Sequence, residues 1–148
     1  MYKVAILFLI SANIGVISYG IFTLMNPGLI EPGFAYLAKT NLAFLRAQND
    51  QALEYFLLSI RLLGAFNFSL AILNILNLLY GYSKNNKTVM LIGVIGSVLA
   101  YLPSMVFDWH VGYFGLMEIL EYIFGVGILF FSLIILLSPN KYNKKKNK

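Results

Sequence analysis

Four stretches of this chain carry no charged side chain for about the length that an α-helix needs to cross a bilayer. They are 4–25 (VAILFLISANIGVISYGIFTLM), 62–82 (LLGAFNFSLAILNILNLLYGY), 88–107 (TVMLIGVIGSVLAYLPSMVF) and 122–138 (YIFGVGILFFSLIILLS). A helix rises about 1.5 Å per residue, so about 20 residues traverse a hydrocarbon core about 30 Å thick. Barrel strands are excluded, because the runs do not alternate polar with apolar and are about twice a strand's length. The expected fold is therefore all-α: an integral membrane four-helix bundle with spans near 4–25, 60–82, 88–108 and 114–137. The first run is longer than a signal-peptide core and has no convincing cleavage site, so it is expected to be a retained span.

Composition supports this reading. Hydrophobic residues make up 59% of the 148 positions and charged ones 11%, too apolar for the polar surface of a soluble domain this small. The net charge of +5 is concentrated. Lys141, Lys144, Lys145, Lys146 and Lys148 lie in the tail KYNKKKNK, which reads as a membrane-proximal anchor and not as a nucleic-acid surface. The chain thus divides into one membrane domain, 1–138, and a basic tail, 139–148. Cysteine is absent, which removes disulfides, thiolate metal sites and cysteine nucleophiles. There is no phosphate-binding glycine loop and no nucleophile elbow, and a lone His110 cannot make a zinc site. Neither a metal nor a cofactor is expected.

With four spans, both termini share a side with the loop SKNNK. That side holds Lys3, Lys84, Lys87 and the five tail lysines, against Lys39, Arg46 and Arg61 on the other. By the positive-inside tendency both termini are expected to be cytoplasmic, and the expected location is the plasma membrane. All six acids then fall on the outer side. In the first outer loop NPGLIEPG is a turn, and 34–48 is expected to be a single short surface helix. Asn49 or Asp50 is the N-cap of the next helix, which could run over 51–80. Asn13, Asn74 and Ser97 share a depth of about 10–14 Å from the cytoplasmic face, and Ser18 and Asn67 lie about 21 Å from it. They are expected to form interhelical hydrogen bonds, with Asn67 also a candidate ligand-binding residue. Gly93 and Ser97 make a small-xxx-small pair for close packing. Tyr101, Trp109, Tyr113 and Tyr122 mark one interface, Tyr80 and Tyr82 the other.

The stretch FDWHVGYFGLMEILEY is the exception to this greasiness. It holds Asp108, His110, Glu118 and Glu121 in one layer near the outer leaflet, and Glu118 and Glu121 share a helix face. Close carboxylates repel unless one is protonated or a cation joins them, and Arg61 has the matching depth. Two readings follow. One is a structural cluster with Arg61 paired to Glu121 or Glu118. The other is a polar pocket opening outward, with Glu118, Glu121, Asp108 and His110 as candidate catalytic groups and Arg61, Asn67 and Trp109 as candidate ligand contacts.

The four spans, the long first outer loop, RLLGAFN at 61–67 and the acid near the start of the last span together resemble the DoxX-like family of small bacterial membrane proteins. That resemblance implies an accessory protein of the bacterial inner membrane, sometimes tied to quinone-linked redox systems. Asp108, Trp109, His110, Glu118 and Glu121 are similar in residue type to the acidic, aromatic and histidine cluster of sterol-isomerase-like membrane proteins. Two functions are therefore expected as alternatives. The first is a non-enzymatic accessory subunit, bound to a membrane protein partner or to copies of itself. The second is an enzyme or binder for a lipophilic molecule such as a quinone, sterol-like lipid or isoprenoid.

Overall fold

The computed structural model describes residues 1–112 and 114–138. Among these, all regular structure is helical. Helix α1 (Tyr2–Met25) leads through a 3-10 turn (Pro27–Ile30) into α2 (Glu31–Ala38) and α3 (Leu42–Gln48). Then follow α4 (Asp50–Ser83), α5 (Lys87–Val111) and α6 (Leu116–Leu137). Four helices, α1, α4, α5 and α6, are long and apolar enough to cross a membrane. The 34 residues of α4 make it about 51 Å long, well beyond a hydrocarbon core. Helix α6 begins after Gly115, whose backbone is extended. The tail 139–148 and Tyr113 of the aromatic belt lie outside the described residues.

The first connection departs from expectation. Instead of one helix over 34–48 there are two, separated at Lys39, which takes the left-handed conformation (φ 55°). Asn41 starts the second helix by accepting a hydrogen bond from the Phe44 amide at 2.7 Å. An asparagine side chain competes for backbone donors in this way and favours a cap over a helix interior. Glu31 ties the pieces together by accepting from the Leu42 amide at 3.3 Å, and Phe34 stacks on Phe56 of α4 with centroids 5.3 Å apart. Of the two cap candidates for α4 it is Asn49 that accepts from the Ala52 amide, at 3.0 Å.

The long helices meet in a ring of contacts, α1 on α4, α4 on α5, α5 on α6 and α6 on α1. Two of these contacts depend on missing side chains. Gly20 and Gly64 face each other across α1 and α4, where a Cβ on Gly64 would strike Thr23 Oγ1 and the Gly20 carbonyl. Gly93 lets α5 approach the Asn74 carbonyl of α4, and Gly96 leaves the space that the Asn74 amide occupies. The expected Gly93/Ser97 contact is thus real, and sequence inspection overlooked the Gly20/Gly64 crossing.

Polarity runs opposite to that of a water-soluble protein. Asn13, Asn74 and Ser97 are 0%, 2% and 0% exposed, while Leu62, Phe66, Leu7 and Phe130 stand more than half exposed. The Asn13 amide nitrogen donates to Ser97 Oγ (2.7 Å) and to the Leu9 carbonyl (2.8 Å), and Asn74 Nδ2 donates to Asn13 Oδ1 (3.1 Å). Ser97 passes its own proton to the Gly93 carbonyl at 2.7 Å. One level up, the Tyr101 hydroxyl donates to the Ala12 carbonyl at 2.9 Å. Around these groups Ile6, Leu9, Leu78, Met90 and Ile128 close the interior.

Both ends are fastened. At the terminal end Tyr2 reaches Met90 Sδ (3.0 Å) and stacks beside Tyr82, and Asn86 caps α5 through the Val89 amide. Lys87 Nζ donates to the Leu136 and Ser138 carbonyls at 3.2 and 3.0 Å, satisfying acceptors that the end of α6 leaves open. The other end, called the loop end below, carries residues 26–49 and the α5–α6 turn.

Replacing Gly64 by valine is expected to destabilise the protein by about 1–3 kcal/mol, because both obstructions lie on a backbone or a short side chain. Leu62→Ala on the exposed face should stay within about 0.5 kcal/mol. Unfolding of both variants in mixed micelles checks this, and equal stabilities would refute the close crossing.

Candidate functional site

The acids Asp108, Glu118 and Glu121 are held by the join between α5 and α6. Helix α5 continues through Pro103 to Val111 and ends where the Gly112 amide returns to the Asp108 carbonyl at 2.8 Å. Gly115 then opens α6, which puts Glu118 in its first turn and Glu121 one turn further in. The Tyr122 hydroxyl donates to the Met105 carbonyl, so the two helices are pinned at the level of the acids. Gly125 removes the side chain that would collide with Met105 just below.

All three carboxyl groups lie within electrostatic reach of one another, and Tyr19 of α1 lies within reach of all three. Tyr19 had no place in the expected site. Its height gives the missing signal: it stands about 26 Å along α1, and Glu121 about 24 Å from the far end of α6. Ser104 of α5 lies beside the Glu121 carboxyl, while its hydroxyl also donates to the Tyr101 carbonyl. Glu121 Oε1 itself is enclosed and makes no hydrogen bond. Buried groups without a partner thus occur toward both ends, Glu121 Oε1 near the loop end and Ser132 Oγ toward the terminal end, while Asn13, Asn74 and Ser97 between them are bonded.

The other candidates separate from this group. Arg61 is exposed on α4, and no carboxylate lies within 4.0 Å of it among the described residues. The expected Arg61–Glu121 or Arg61–Glu118 ion pair does not form. The reason is helix order: α4 packs on α1 and α5, so it stands diagonally across from α6. Depth counts matched the two residues in height but could not supply their direction. The ion pairs present belong instead to Arg46, which meets Asp50 at 3.3 Å and Glu54 at 3.4 Å, all three well exposed. Such pairs are worth at most about 1 kcal/mol.

His110 and Trp109 are exposed on the last turn of α5. Trp109 packs edge-on against Phe114, which touches Tyr122 in turn, with centroids 6.3 and 5.7 Å apart. Asn67 is half-buried on α4, apart from the Asn13–Asn74–Ser97 set. Among the described residues no three His, Cys, Asp or Glu side chains are grouped to hold a metal ion. A groove between α5 and α6, lined by Val98, Tyr101, Leu102, Met105, Gly125 and their neighbours, is too shallow to enclose a water molecule. Comparison with protein-family models, with curated proteins and with solved structures finds no match.

Chemically the cluster is three acids and a phenol close enough to influence one another's charge, and among the described residues no cation pairs with them. If Arg61 and Glu121 are separate, the effects of Arg61→Ala and Glu121→Gln on unfolding free energy should add to within about 0.5 kcal/mol. The pair Glu118→Gln and Glu121→Gln should depart from additivity by more than that, since each removes a neighbour of the other. Strong coupling between Arg61 and Glu121 would reject the arrangement.

Proposed function

We propose that the four long helices form a transmembrane bundle in a bacterial plasma membrane, with both termini cytoplasmic, acting as a non-enzymatic accessory subunit that binds a membrane protein partner. The observation that carries this reading is the inverted polarity. Asn13, Asn74 and Ser97 are sealed inside while leucine, isoleucine and phenylalanine cover the outside. Lipid tolerates that exterior and water does not. The interior at that level is filled by side chains bonded to each other, as in a scaffold. The bias of eight basic residues to three supports the orientation, and the layout shared with DoxX-like proteins supports the accessory role.

A second reading has its own observation. The enclosed, unbonded Glu121 Oε1 beside Ser104, Asp108, Glu118 and Tyr19 suits a site that receives a polar headgroup or passes a proton for a quinone, sterol-like lipid or isoprenoid. Mass spectrometry of the protein released intact from membranes separates the two. A protein partner at fixed stoichiometry supports the first reading. A stoichiometric quinone or isoprenoid, lost in Glu121→Gln, supports the second and removes the first.

Topology is tested independently. The chain has no cysteine, so Asn85→Cys and Gln48→Cys each give one thiol. An impermeant reagent added to intact cells should label the thiol at 48 and spare the one at 85, and the reverse result would invert the orientation.

A further inference from the structure

We propose that Arg61 is a binding site for the phosphate of a lipid headgroup, in the leaflet at the loop end; this rests on the transmembrane reading above. Three cations stand at that end. Lys39 Nζ lies 4.5 Å above the Tyr36 ring, and Arg46 is held by Asp50 and Glu54. Arg61 has no such partner among the described residues, and it is exposed on a face whose neighbours Leu58 and Leu62 are 59% and 73% exposed. A guanidinium stays charged at any physiological pH, so among apolar neighbours it must find an anion or water.

Its height selects the anion. Arg61 precedes Ser83, the last residue of α4, by 22 positions (83 − 61), which is about 33 Å of helix. A hydrocarbon core is about 30 Å thick, so Arg61 stands where headgroups begin. Its direction agrees. Helical side chains lean toward the helix N-terminus, and the N-terminus of α4 is at the loop end. The stem therefore crosses the apolar surface of its own helix while the charged fork reaches outward, away from the hydrocarbon. A phosphodiester offers two oxygens to that fork, a bidentate match that lysine lacks.

The two arginines of the chain, Arg46 and Arg61, make the proposal directly measurable. The full chain, labelled with ¹³C at the arginine guanidino carbon, is reconstituted in phospholipid vesicles. Its ¹³C–³¹P dipolar dephasing is then read by solid-state NMR. In Arg46→Lys the remaining signal belongs to Arg61 and should dephase strongly; in Arg61→Lys the dephasing should be lost. A third sample holds Arg46→Lys in a phosphate-free glycolipid bilayer with inorganic phosphate in the buffer, and should show none. Absent dephasing in Arg46→Lys overturns the proposal, even if Arg61→Lys fails to fold. So does dephasing in the glycolipid sample, which would identify a free anion. Flotation with the vesicles on a density gradient is checked first. A chain that does not float defeats the transmembrane reading itself, whereas one that floats without dephasing defeats only the Arg61 site.

Discussion

The hydrogen bonds among Asn13, Asn74 and Ser97 set the arrangement on which everything else is hung. They join α1, α4 and α5 at one level, each residue from a different helix and each buried from solvent. Each such bond in a bilayer contributes only about 0.6 kcal/mol on average, so their effect is on register more than on total stability. An amide shifted by one turn would meet leucine instead of a partner. The glycines follow from the same constraint. Gly96 is the vacancy into which the Asn74 amide fits, and Gly93 allows the backbone approach that brings Ser97 within reach. The Tyr101–Ala12 bond repeats the α5–α1 tie one level higher.

Above that level the logic changes. Asp108, Glu118, Glu121 and Tyr19 lie within electrostatic reach of one another where α1, α5 and α6 meet, and no cation pairs with them among the described residues. Helices α5 and α6 are nonetheless tied to each other by Tyr122 on Met105, and α5 is closed by the Gly112 return to Asp108. Glu121 Oε1 is thus left without a hydrogen bond between two helices that are joined at that level.

Much of the helical content was legible from charge-free run length, because a bilayer-spanning helix has one dominant requirement. The Asn13–Asn74–Ser97 set was legible from depth too, but depth alone is not enough: Ser18 and Asn67 match in the same way, and Ser18 donates instead to the Ile14 carbonyl of its own helix. What failed was lateral. Counting 1.5 Å per residue gives height alone, so Arg61 and Glu121 looked like partners although their helices stand diagonally. Tyr19 was passed over for the converse reason, as an aromatic in an apolar run whose neighbours depend on helix order. The break at Lys39 was missed because the segment lacks glycine and proline. Asn41, which favours a cap, was the signal available there.

Lys87 has a mechanical consequence. It begins α5, yet its ammonium holds the last carbonyls of α6, so two ends separated by 51 positions act as one joint. Tension on the chain beyond Ser138 would be delivered first to the α4–α5 hairpin, not to the α5–α6 turn at the opposite end. The hairpin can bear that load, since its turn is short, capped by Asn86 and packed where Gly81 abuts Met90. The acidic layer lies most of a helix length from that joint, near the other end of α6.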